Sequence, residues 1–132
     1  MTSRPHEGIA TDAAHSMKNG VTRYRGVDLK TGEELFSVEL GNQTVNIGEF
    51  LGVVAGVKYI LANDFHPKVI YTDSMMALAW FGAKRTASRK RYPELLKAEV
   101  FLKVYAAQID RIEVLHWDNT AWGETPADFG LK

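Results

Sequence analysis

The 132-residue chain contains no cysteine. That excludes a disulfide framework, a thiolate nucleophile and a cysteine-based zinc site. Histidine is sparse: His6, His15, His66 and His116 are scattered and have no metal-ligand spacing. Net charge is absent too, with 16 Lys+Arg against 16 Asp+Glu, so overall charge selects no partner. No G-x-G-x-x-G follows the first strand-like segment, which argues against a dinucleotide binder. The lack of a nucleophile elbow argues against a Ser-His-Asp hydrolase. No apolar run reads as long enough to span a bilayer. The opening Met1 to Glu7 carries Arg4 and Pro5 but no apolar stretch, so it does not read as a secretory signal. The expectation is a soluble, cytoplasmic, monomeric protein that needs no protein partner and makes no membrane contact. A flexible segment, 1–7, is expected to precede a single domain over 8–132.

Hydrophobic periodicity supplies the elements. Gly8 to Asp12 is a short apolar run ending in a carboxylate. Val21 to Leu29 and Glu33 to Leu40 read as strands joined by a hairpin at Lys30-Thr31-Gly32. A long helix is predicted from about Ile47 to Asn63, with Ile47, Phe50, Leu51, Val54, Val57 and Leu61 on one face. Gly48, Gly52 and Gly56 form a small-residue ridge on it, suited to close approach to a sheet. Lys68 to Thr72 reads as a buried strand, Ser74 to Gly82 as a short helix and Arg111 to His116 as a fifth strand. Between the last two lies a helix from Pro93 with a stripe of Leu95, Ala98, Leu102, Tyr105 and Ile109. Thr125-Pro126-Ala127-Asp128 is predicted to open a final helix, giving the order βββαβααβα. A helix between the third and fourth strands implies a right-handed crossover to a parallel neighbour.

Charge is unevenly distributed. Lys84, Arg85, Arg89, Lys90 and Arg91 crowd one segment, leaving the remainder acidic on balance. Such a patch is either a solvated loop or a local polyanion contact. Four acids stand where elements begin or end: Asp12 and Asp73 each close a Thr-Asp pair at the exit of an apolar run, and Glu49 and Asp128 fall at predicted helix starts. Taken singly, capping explains them: Asn46-x-x-Glu49 and Thr125-x-x-Asp128 resemble capping boxes, and Asp73 suits an N-cap. Taken together, converging carboxylates would repel and raise one another's pKa values, which a hard divalent cation such as Mg²⁺ resolves. Two such ions could activate a water and stabilise the leaving oxygen of a phosphodiester. If the first and fourth strands lie parallel and adjacent, Asp12 and Asp73 meet at the carboxyl edge, where open α/β sheets place ligands.

The order Asp12, Asn46-Ile47-Gly48-Glu49-Phe50, Tyr71-Thr72-Asp73-Ser74 and Ala127-Asp128 resembles the type 1 ribonuclease H family. The resemblance runs from Ile9 to Gly130 and extends to the wording Trp122-Gly123-Glu124-Thr125-Pro126-Ala127-Asp128-Phe129-Gly130, close to that of a bacterial subgroup. It implies an α/β ribonuclease H-like fold: a five-stranded mixed sheet, second strand antiparallel to the others, flanked by helices. It further implies that Asp12, Glu49, Asp73 and Asp128 are catalytic and hold two Mg²⁺ ions, with Mn²⁺ as an alternative. The substrate implied is an RNA–DNA hybrid, cut in its RNA strand to leave a 5′-phosphate and a 3′-hydroxyl. Asn46, Ala13, Ser74 and the basic residues Lys84, Arg85, Arg89, Lys90 and Arg91 would bind it. The wording after Asp12, Ala13-Ala14-His15-Ser16-Met17-Lys18-Asn19-Gly20, departs from that of many relatives. The mobile histidine of relatives has no clear counterpart. His116 reads as packing or bonding at its strand end, leaving Asp118 or Glu124 for that role. Trp117 and Trp122 read as packing residues. Two other readings stay open: a catalytically silent duplex-binding module on this fold, and another nuclease or recombinase of the superfamily.

Overall fold

The computed structural model of the chain describes residues 3–88 and 92–129. Five strands form one sheet in the order β3-β2-β1-β4-β5. They are β1 (Ile9–Ser16), β2 (Val21–Asp28), β3 (Glu34–Glu39), β4 (Val69–Thr72) and β5 (Glu113–His116). β2 pairs antiparallel with both β1 and β3, whereas β4 runs parallel to β1 and to β5. This is the mixed sheet that the motif order implied, with β2 alone reversed. Gly32, at φ 77°, makes the β2–β3 turn where a side chain would be strained.

The helices are α1 (Val45–Asn63), α2 (Met75–Ala83), α3 (Pro93–Val104), and the single turns α4 (Ala106–Ile109) and α5 (Asn119–Trp122). Three expectations change. The stripe from Leu95 to Ile109 is not one helix; it breaks at Tyr105, where φ is −101°, into α3 and α4. Periodicity misses the break because Leu95, Ala98, Leu102 and Ile109 are buried on both sides of it. Among the described residues the last helix spans Asn119–Trp122, and Thr125 to Asp128 forms a turn closed by the Asp128 amide on the Thr125 carbonyl at 3.0 Å. Finally, α1 has 19 residues and is apolar enough by length and composition to cross a membrane, which the reading of the sequence denied. Its burial gives the physical reason for that composition, because Ile47, Phe50, Leu51, Val53, Val54, Val57 and Ile60 are all in the core. A helix covered on more than one side needs apolar residues around most of its circumference.

The glycine ridge sets how deeply α1 sits. A Cβ at Gly48 would lie 3.0 Å from both the Ala13 Cβ and the Thr22 Cγ2, and one at Gly56 3.0 Å from the Ile70 Cδ1. At Gly52 the Tyr24 Cβ would be 3.3 Å away. The ridge thus lets the helix backbone descend onto β1, β2 and β4. Gly48→Val should overpack this contact and destabilise the fold by about 3 kcal/mol, given that inserted methyls have nowhere to go. Gly82→Ala in α2, where an added Cβ meets nothing within 4 Å, should instead stabilise by about 0.5–1 kcal/mol through helix propensity. Thermal unfolding of the two variants against the parent checks both signs.

Candidate active site

The parallel pairing of β1 with β4 matches Ile9 to Ile70, Ala10 to Tyr71 and Thr11 to Thr72. The residue after each threonine is an aspartate, so the register itself delivers Asp12 and Asp73 to the same edge. β1 does not end at Asp12, as the apolar run suggested; it continues to Ser16 along β2. Glu49 arrives from α1, held down on this edge by Gly48 against Ala13 and Thr22.

The capping explanations for two of these acids fail on geometry. Thr44 is the N-cap of α1, and its hydroxyl accepts from the Ile47 amide. Glu49 therefore lies in the second turn, out of reach of the first orphan amides, and no acid sits in the first turn. Ser74, not Asp73, caps α2 by accepting from the Ala77 amide at 3.0 Å.

What remains is a cluster. Asp12, Glu49 and Asp73 each offer a carboxylate oxygen, and these oxygens lie within 4.8 Å of one another. Asp12 is 1% exposed and Glu49 8%. Burial, then the charge of Asp12, then that of Asp73, push the Glu49 carboxyl up to about 9. A bond from the Ala13 amide works in the opposite direction and does not outweigh them. One Glu49 oxygen, Oε2, is buried with no hydrogen-bond partner among the described residues. An all-oxygen donor set, mutual repulsion and an unsatisfied carboxylate oxygen together fit a hard divalent cation, which would bind the ionised form and remove the repulsion.

Asp128, the fourth acid of the motif order, is not among the three. Its turn is tied to the site by Arg25, which faces Asp12 across the β1–β2 ladder. The Arg25 Nε donates to the Ala127 carbonyl at 2.7 Å and an Nη donates to the Asp128 carbonyl. The Arg25 guanidinium also lies 4.9 Å from the centre of the Phe129 ring.

The other sequence candidates divide by location. Asn46 is exposed in the first turn of α1, one helical turn before Glu49. Ala13 is buried and gives its amide to Glu49. Lys84 adopts a left-handed conformation as the C-cap of α2, with Arg85 exposed beside it. Arg89, Lys90 and Arg91 lie outside the described residues. His116 is exposed at the end of β5 rather than packed there, since its strand lies at the edge of the sheet. Asp118 is engaged in capping α5, accepting from the Thr120 and Ala121 amides. Trp117 packs as expected: it is fully buried, and its Nε1 donates to the Gly123 carbonyl at 2.9 Å.

Sequence reasoning missed two contributors, Arg25 and Asn119. Asn119, the first residue of α5, donates through Nδ2 to Asp73 Oδ2 at 3.0 Å. A bond spanning 46 positions leaves no periodic trace in the sequence.

No protein family model matches the chain. Solved structures do resemble it. One is the ribonuclease H1 of the halophilic archaeon Halobacterium salinarum NRC-1, 17% identical over 86% of this chain and 86% of that one, at a TM-score of 0.50. Another is LC11-RNase H1, isolated from compost by a metagenomic approach, 13% identical over 89% and 88% respectively, at a TM-score of 0.57. At such identities the likeness is one of fold: the chain adopts the ribonuclease H-like fold.

Proposed function

We propose that this protein is an endonuclease that hydrolyses the RNA strand of RNA–DNA hybrids with the help of divalent metal ions. The observation that carries the proposal is the meeting of Asp12, Glu49 and Asp73 at the carboxyl edge of β1 and β4, on a fold shared with solved ribonucleases H.

Asp12, Glu49 and Asp73 would hold the ions, Mg²⁺ or Mn²⁺. Asp128 would complete the set as a fourth acid, and what supports it is the Arg25 tie between its turn and the strand beside Asp12. A bound pair would supply charge neutralisation and an activated water for in-line attack, leaving a 5′-phosphate and a 3′-hydroxyl. The protein's own groups then select and orient. Glu49, one helical turn after the exposed Asn46, would accept from a ribose 2′-hydroxyl, the group that distinguishes RNA from DNA. Asn46 would reach the minor groove with both donor and acceptor. The Ser74 hydroxyl accepts from Ala77 and retains its own proton for a phosphate oxygen. The Ala13 amide keeps Glu49 turned toward the acids. Lys84 and Arg85, with the neighbouring basic residues, would hold backbone phosphates, so affinity should weaken as salt rises.

Labelled hybrid, duplex RNA, duplex DNA and a four-way junction, each with Mg²⁺, with Mn²⁺ or with EDTA, test the reading. Cutting confined to the RNA strand of the hybrid and to the metal-containing reactions is expected. Salt-sensitive hybrid binding with no cutting in either Mg²⁺ or Mn²⁺ would replace the enzyme with a binding module, and preferred cutting of the junction with a different nuclease.

A further inference from the structure

The geometry points to Asn119 as a positioning residue for Asp73, one that fixes the plane of its carboxylate for a divalent ion. This inference rests on the metal-site reading above.

The placement follows from the sheet. β5 runs parallel beside β4 with His116 opposite Thr72, and the Trp117 amide extends the ladder by donating to the Thr72 carbonyl at 2.8 Å. The chain therefore leaves β5 at the same edge where Asp73 leaves β4. Asp118 then caps α5, which turns the next side chain, that of Asn119, back onto Asp73. An ionised carboxylate only accepts, so the amide nitrogen is the end of Asn119 that faces it.

The turn that carries Asn119 is anchored. Trp117 closes it through Nε1 on the Gly123 carbonyl. Trp122 packs edge-on against Trp117 with ring centres 5.1 Å apart, and Tyr71 packs against both at 6.1 and 6.5 Å. A residue on so constrained a turn can hold a neighbour's torsion, which a residue on a loose loop cannot. Asp73 needs such a hold, because it is only partly buried and follows the last residue of a four-residue strand.

The choice of an amide matters. A lysine or arginine here would neutralise Asp73 and compete with a cation for it. Asparagine donates one hydrogen bond and leaves the full negative charge available. Hydrogen-bonded partners of this kind commonly change metal affinity or activity by tenfold or more when removed.

Three measurements on Asn119→Ala test the role: the Mg²⁺ concentration giving half-maximal cleavage, kcat and KM for the hybrid, and the rise in Tm that Mg²⁺ or Mn²⁺ produces in the absence of substrate. The expected result is a half-maximal Mg²⁺ concentration raised about tenfold, a metal-induced Tm rise that needs correspondingly more metal, and a hybrid KM unchanged at saturating Mg²⁺. Asn119 is exposed, so the metal-free Tm should stay near that of the parent. In an Asp73→Asn background, adding Asn119→Ala should cause no further change in the metal-induced Tm rise, as expected of residues acting through one contact. A raised KM with an unchanged metal requirement would overturn the proposal and make Asn119 a substrate contact. Unchanged values throughout would also overturn it. The substrate-free Tm arm remains decisive even if the parent cuts no hybrid, so failure of the nuclease reading and failure of this one are separately visible.

Discussion

Asp73→Asn should cut a hybrid at least about a thousand-fold more slowly than the parent, a barrier increase of about 4 kcal/mol, and should nevertheless melt at a higher temperature in EDTA. Both effects have one source. The carboxylates lie close enough for their charges to repel, and that repulsion is part of what drives Glu49 to hold its proton. Replacing Asp73 by its neutral isostere removes one repelling charge and leaves the backbone, the Ser74 cap and an acceptor for Asn119 in place. The metal-free fold should gain about 1 kcal/mol, or about 3–4 °C in Tm for a domain of this size. The same substitution removes a ligand that chemistry would require. Cleavage assays in Mg²⁺ and thermal scans in EDTA read the two halves independently. A variant that cuts as fast as the parent would disprove the site assignment.

The second large effect concerns pH and metal together. Glu49 titrates near 9 in the folded protein, well above the value of about 4.5 for the same group in an open chain. Between those values the folded state binds more protons than the unfolded state, so the stability contributed by Glu49 falls as pH rises through that window. In EDTA, Tm should therefore decline from about pH 5 towards pH 9. A divalent ion binds the ionised form, so its affinity should climb over the upper part of the same window, with about one proton released per binding event. The Tm difference between Mg²⁺ and EDTA should accordingly widen with pH; at a metal concentration about a hundred times Kd it corresponds to about 2.7 kcal/mol. Asp12→Asn should flatten the EDTA decline more than Asp73→Asn, because the Asp12 charge acts on Glu49 more strongly. A Tm difference that is constant from pH 6 to pH 9 would show that Glu49 is not the group being deprotonated.

Much of this arrangement was legible in the sequence because it lies in local patterns. The two Thr-Asp pairs at the exits of apolar runs are enough to predict Asp12 and Asp73 at one sheet edge, once the crossover makes β1 and β4 parallel. The glycines four apart on α1 indicate a close helix–sheet approach, and Gly48, Gly52 and Gly56 do meet β1, β2 and β4. Helix termini were less legible. Asn46-x-x-Glu49 resembles a capping box, but Thr44 caps the helix and Glu49 is left for the cluster. At Thr125 the opposite happens: its hydroxyl and carbonyl accept from the Ala127 and Asp128 amides as at a helix start, yet only a turn forms among the described residues. The Arg25 bonds to the Asp128 turn and the Asn119 bond to Asp73 join residues with no periodic relation, so sequence spacing carries no signal for them.

The early departure of β4 has a further consequence. Its pairing with β1 stops at Thr11, while β1 follows β2 as far as Ser16. Past the acids, the central strand thus has a companion on one side only among the described residues, and its other edge keeps main-chain groups unpaired by a strand. Peptide groups present the same donors and acceptors whatever side chains they carry. Side chains along this open edge, Ala13, Ala14 and His15 among them, can therefore vary with little effect on the acids, because the Thr11–Thr72 register and the seat of α1 fix where those stand.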